Sequence, residues 1–170
     1  MGGSTDVCAE ESAFIVAPTF GYGSLVEVDG ESNSGFVFGV NSTYIVDRWL
    51  LDVAYATVPG AEENRQAIMA GFGTVFGLKA NKAAFNILTK PQALSALADE
   101  ERASIYPYLM GGAEVDITGN SVYGFYAEGG ALIPIALVNQ WTRLGIRGTW
   151  LSDEVDNYAV AVIVSPVIPW

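Results

Sequence analysis

The chain contains no histidine. That single absence removes Ser-His-Asp triads, Cys-His nucleophile pairs and histidine-ligated metal sites together. Charge is the second shortage: Asp, Glu, Lys and Arg make up 16% of the 170 residues, where soluble proteins carry roughly 25%. Basic residues are scarcest, 8 against 19 acidic ones for a net charge of −11. A nucleic-acid partner is therefore excluded, because neutralising phosphates needs a basic face. Long apolar runs are missing too: no stretch approaches the ~18 consecutive residues of a transmembrane helix. If a bilayer is involved, strands must cross it. The one cysteine, Cys8, cannot form an internal disulfide. It reads as a plain thiol, with lipidation or pairing between chains as alternatives. Its surroundings, MGGSTDVCAEES, are polar and lack the apolar core of a leader, so residues 1–12 are expected to be a flexible N-terminal segment.

Present in abundance is a hydrophobic period of two, the mark of strands whose faces meet different environments. It places strands near 13–28, 34–46, 48–58, 67–79, 104–117, 121–136, 140–151 and 156–170. Between them stand acidic or Gly-containing turn segments such as VDGESNS, VPGAEENRQ, TGN and LSDEVDN. The faces differ in kind. In the third strand Trp49, Leu51, Val53 and Tyr55 oppose Asp52, Ala54 and Ala56; in the fourth, Ile68, Phe72 and Phe76 oppose Gly71 and Gly73. Across the sixth and seventh, Tyr123, Phe125, Leu144 and Ile146 oppose Gly124, Glu128, Gly130, Arg143, Gly145 and Arg147. One face is bulky and apolar; the other is glycine, alanine and a few charges. A soluble barrel turns its bulky face inward and covers its outside with charge. Here the second face suits the crowded interior of a narrow barrel, with the bulky face turned toward lipid. Tyr22, Tyr44, Trp49, Tyr106, Trp141, Trp150, Tyr158 and Trp170 fall near the expected strand ends, where interfacial aromatic girdles belong. A soluble ligand-binding barrel of lipocalin type is the competing architecture.

The stretches YPYLMGGAEVDI, GFYAEGGALIPIAL and WTRLGIRGTWLSDEVD, with the last strand and DRWLLDVAYATV, resemble the small eight-stranded outer-membrane barrels. The resemblance implies an all-β, eight-stranded antiparallel up-and-down transmembrane barrel over residues 13–170, in the bacterial outer membrane. It implies bilayer lipid and lipopolysaccharide as surroundings, and contact with the barrel-assembly machinery during biogenesis. In such proteins that machinery reads a last strand of alternating apolar residues ending on an aromatic. Tyr158, Val160, Val162, Val164, Ile168 and Trp170 match that signal, while Pro166 and Pro169 depart from it. Barrel-type outer-membrane proteases, phospholipases and deacylases use a histidine base, so the resemblance does not extend to their activities. A monomer without catalysis, cofactor or metal is expected.

Residues 80–103 interrupt the strand rhythm. Pro91 followed by good helix formers, with Leu94, Leu97 and Ala98 along one stripe, predicts a short helix there; a ninth strand over KAAFNIL is the alternative. With both termini periplasmic, strand parity puts this insertion on the periplasmic side. On the inward face Asp52, Lys79, Glu114, Asp116, Glu128, Arg143 and Arg147 are expected to pair into a lumen charge network, a narrow ion path being the alternative. Pro18 and Pro166 should meet across the closure seam, each without an N–H for the ladder, and so form a possible lateral opening for lipid or a small apolar molecule. Asp29, Glu31, Glu62, Glu63, Asp153, Glu154 and Asp156 lie in outward loops and read as solvated turns, divalent cations being the alternative. Function is expected to be that of a structural or surface component or a narrow channel, with a lipid-handling barrel as the alternative.

Overall fold

The computed structural model describes residues 12–26, 32–46, 48–58, 65–77, 105–118, 122–135, 140–152 and 157–167. They form eight strands: β1 Ser12–Val26, β2 Ser32–Val46, β3 Trp49–Val58, β4 Arg65–Val75, β5 Tyr106–Asp116, β6 Tyr123–Ile135, β7 Gln140–Ser152 and β8 Asn157–Val167. Each pairs antiparallel with its sequence neighbours, and β8 returns to β1 to close the barrel. The expected all-β, eight-stranded up-and-down barrel is therefore the architecture. The expected helix at 80–103, residues 1–11 of the expected flexible segment 1–12 and the acidic loop residues lie outside the described residues, as do Lys79, Ile168 and Trp170, while Ser12 opens β1.

Strand ends moved by a few residues, and one shift matters. The fourth strand, expected from 67, begins at Arg65, and it ends by Gly77, whose φ of +80° only glycine adopts without strain. β2 and β3 join through the tightest connection, with Val46 opposite Trp49. The long connection after β4 starts and finishes at one place, since the Phe76 N–H donates to the Pro107 carbonyl at 2.8 Å.

The pleat separates the chain's two kinds of residue. Phe14, Phe36, Leu51, Val53, Phe72, Phe125, Ile146 and Val162 are all exposed on the outer wall. Inside, Ile15, Val37, Ile45, Leu50, Met69, Tyr106 and Met110 form the apolar part of a packed interior. Tyr106 thus corrects one expectation: placed near a strand end, it belongs to the lumen and not to an aromatic girdle, being only 5% exposed. Side chains fill the interior because eight strands leave no room for a pore.

Inward glycines mark where side chains from the next strand but one arrive. A Cβ on Gly145 would meet the Tyr108 hydroxyl at 2.2 Å, and one on Gly71 the Tyr126 hydroxyl at 2.1 Å. Both glycines are seats for tyrosines. Gly148 faces outward, and a Cβ there would meet nothing within 4 Å.

Candidate functional site: the charged lumen

Glu128 on β6 organises the interior. Its direct partner on β7 is Arg147, while Arg143 sits four residues earlier on the same face with Gly145 between them. Because Gly145 carries no side chain, Tyr108 from β5 enters there, and both arginines converge on one carboxylate. Tyr108 Oη donates to Glu128 Oε1 at 2.6 Å. Arg143 donates to the same oxygen from Nε at 2.9 Å and from Nη2 at 2.6 Å. Arg147 takes the other oxygen, from Nε at 2.9 Å and with Nη2 at 2.7 Å. The guanidiniums also lie over aromatic faces, Arg143 on Tyr108 and Arg147 on Tyr126, at 5.1 and 4.9 Å from the ring centroids. Both carboxylate oxygens are thus held by charge-assisted bonds, the strong kind.

From this centre the network runs toward β2 and β3. Arg143 Nη1 reaches Asp52 Oδ1 at 3.1 Å, and the Thr43 hydroxyl donates to the same oxygen. Asn41 is satisfied with its amide nitrogen donating to Thr19 Oγ1 at 3.2 Å and to the Ala17 carbonyl at 2.8 Å, its oxygen facing Arg143 at 3.3 Å. Thr19 and Ser165 share a hydroxyl hydrogen bond of 3.1 Å between β1 and β8. A second cluster lies toward the end away from the termini. There Arg65 stands 3.2 Å from Asp116 and 3.6 Å from Glu114, and Thr149 donates to Glu114 at 3.3 Å.

The structure therefore brings Asp52, Glu128, Arg143 and Arg147 into one network and Glu114 and Asp116 into another. Arg65 completes the second. It falls within the expected turn segment VPGAEENRQ, although its odd-numbered spacing with Ala67, Met69 and Gly71 carries the lumen signal. Tyr108 and Tyr126 are further lumen residues, not singled out from the sequence; their shared parity with Glu114 and Glu128 is the signal that places them there. Three buried atoms lack a hydrogen-bond partner among the described residues: Asp52 Oδ2, Glu114 Oε1 and the Tyr126 hydroxyl.

Two cavities of about 20 Å³ flank the Glu128 centre. One, toward the end away from the termini, touches Arg65, Glu114, Arg147 and Ala161. The other, toward the terminal end, is lined by Ile15, Ala17, Ile45, Leu50 and Leu132, with Tyr108 and Arg143 on its inner side. Each has room for about one water. Between them the Arg143–Glu128–Arg147 triad forms a partition.

Of the closing-strand residues, Tyr158, Val160, Val162 and Val164 are exposed on the outer wall. Pro166 pairs with Thr142 on β7 and Pro18 with Val40 on β2. The β1–β8 ladder ends at Phe20 opposite Val164, so the prolines fall two positions beyond its last pair and in register with each other.

An antiparallel eight-stranded barrel with a bulky apolar exterior and ion pairs inside has the fold of the small outer-membrane barrels. The structure is similar to Neisserial surface protein A, with a TM-score of 0.63 and 12% identity over 95% of this chain and 100% of that one. It is similar as well to the N-terminal β-barrel domain of Pseudomonas aeruginosa OprF, with a TM-score of 0.52 and 10% identity over 90% of this chain and 97% of that one. No protein-family profile and no curated relative matches the chain.

Proposed function

We propose that the protein is a non-catalytic barrel of a bacterial outer membrane whose lumen is closed by its own ion pairs, a structural or surface component and not an open pore. The observation that carries this reading is the inversion of the two faces. Large apolar side chains lie exposed around the wall while Asp52, Glu128, Arg143 and Arg147 are buried within it. Contiguous apolar surface of this kind is foreign to soluble monomers and suits a bilayer; a lipocalin-like barrel would have the reverse arrangement. The likeness in fold to two outer-membrane barrels supports the same location. Both termini then lie on the periplasmic side, and the exposed valines of β8 serve as the alternating apolar part of the assembly signal. Lipopolysaccharide and phospholipid are its surroundings, and it works as a monomer.

Closure follows from the partition. Glu128 has both oxygens occupied, so neither is available as a general base or as a mobile ligand for a passing ion. Reconstitution into planar bilayers tests the reading. The native barrel should insert from detergent yet show no discrete conductance steps, whereas replacing Glu128 and both of its arginines by alanine should open steps. Regular conductance by the native protein would refute a closed lumen. Monodisperse behaviour without detergent would refute the membrane location.

A further inference from the structure

Among the described residues the β1–β8 closure is the shortest ladder, with seven register pairs against nine in β2–β3 and β4–β5. The strands do not end where their pairing does. Ser165, Pro166 and Val167 remain in register with β7, and Ser12 to Thr19 with β2. Among the described residues three further register positions, Thr19 opposite Ser165, Pro18 opposite Pro166 and Ala17 opposite Val167, carry no backbone pairing. The cause is legible in the chain: Pro18 and Pro166 come into register beyond the last pair, and neither has an N–H to give. Side chains hold the position instead. The Thr19–Ser165 hydroxyl pair stands at the end of the ladder, and Asn41 donates to the carbonyl of Ala17.

Behind these lips lies the apolar cavity of the terminal end. Ile15 and Ala17 from one lip and Ser165 from the other are part of its lining; Ile45, Leu50 and Leu132 supply the rest of its aliphatic wall, and Asn41 and Thr43 add polar groups beside Arg143. Outside the lips stand the exposed Phe20 and Val164. In a bilayer, hydrocarbon meets the seam where the backbone ladder is absent and an aliphatic chamber begins.

We propose that this half of the β1–β8 seam is a lateral opening, through which an acyl chain of a surrounding lipid enters the terminal-end chamber. The proposal rests on the membrane reading given above. At about 20 Å³ the closed chamber holds no more than a water, so entry requires the lips to part, which at Ala17–Thr19 and Ser165–Val167 means breaking the Thr19–Ser165 bond and, among the described residues, no backbone pairing. Aliphatic walls set the class of occupant. The Arg143–Glu128 pair sets its depth, because a chain cannot pass the partition without unpairing buried charge. Thr19 is tied through Asn41 to Arg143, so parting the lips disturbs the same network that closes the lumen.

The test uses the full chain in nanodiscs of phosphatidylethanolamine and phosphatidylglycerol doped with a phospholipid whose acyl tail ends in a diazirine. After illumination, cross-links are mapped by mass spectrometry. Labels on the inward residues Ile15, Ile45, Leu50 and Leu132, besides the outer wall, are the expected result. A variant carrying Cys8→Ser, Thr19→Cys and Ser165→Cys then staples the seam: inward labels should be lost on oxidation and return on reduction, with outward labels unchanged as a control for folding. Outward labels alone in the native protein would overturn the opening while leaving the membrane reading intact. Inward labels that survive the staple would overturn the seam as the route. An absence of labels on both faces would overturn the membrane reading itself, and the opening with it.

Discussion

Replacing Glu128 by glutamine probes the partition directly. The native carboxylate serves two guanidiniums and a phenol at 0% side-chain exposure. Glutamine keeps the shape and one acceptor but places an NH₂ group against an arginine. Arg143 retains Asp52 at 3.1 Å. Arg147 has no other carboxylate within ion-pair distance among the described residues, so it is the charge left bare. Removing one partner of a buried pair costs about 3–5 kcal/mol. With only one of the two arginines orphaned, Glu128→Gln should fall near the lower end, about 3 kcal/mol. In a urea titration of the barrel in lipid vesicles, read by tryptophan fluorescence, that is a fall in midpoint of roughly 1–3 M for an m-value of about 1–3 kcal/mol/M. Arg147→Met alone should cost about 1–3 kcal/mol, because Glu128 Oε2 is then unsatisfied. The double variant removes donor and acceptor together and should be more stable than the sum of the singles by about 1–3 kcal/mol. Strict additivity, or a Glu128→Gln cost below about 0.5 kcal/mol, would refute the claim that one carboxylate holds both arginines.

Other outcomes follow from single contacts. Tyr126→Phe should leave stability unchanged or raise it, because the hydroxyl removed has no hydrogen-bond partner among the described residues, whereas Tyr108→Phe should lose about 1.5–3 kcal/mol with its bond to Glu128; the same urea titration ranks them. Gly148→Ala should be tolerated and Gly145→Ala should not, since the second Cβ would sit 2.2 Å from the Tyr108 hydroxyl; thermal unfolding separates the pair. Ile146→Lys, on the exposed wall, should lower stability in a bilayer by about 2–4 kcal/mol, whereas on a soluble barrel it would be harmless. Raising salt to about 1 M, where the Debye length is near 3 Å, should leave the native midpoint almost unmoved because the ion pairs are buried.

The alternation of large and small residues carried the fold, because a strand's two faces are written in adjacent letters. Asp52, Glu128, Arg143 and Arg147 were legible as lumen charges for the same reason: a charge on the small-residue face has nowhere else to point. What parity does not carry is reach. Tyr108 and Tyr126 stand on the small face too, yet their seats are Gly145 and Gly71, each two strands away across an intervening glycine, a relation that exists only once three neighbouring strands are in register. Arg65 was hidden by the polar run before it, which gives no local sign of where a turn stops and a strand starts. Tyr106 was misplaced because nearness to a strand end says nothing of the side on which a ring lies.

The span of the lumen contacts along the chain bears on the order in which the molecule forms. Each hairpin pairs neighbours in sequence and is quick to find. Arg143 meets Asp52 across 91 residues, and Thr19 meets Ser165 across 146. Neither contact exists until the curved sheet has brought its two ends around, so loop-closure entropy is spent first and rewarded last. Until then Glu128, Arg143 and Arg147 meet only across their own hairpin, open to water, and water has to leave the interior as the final ladder zips. The Arg143–Asp52 pair and the Thr19–Ser165 bond therefore act as a latch set late in folding, unlike the Glu128 pairs within the β6–β7 hairpin, and variants that weaken the latch should speed unfolding more than they slow folding.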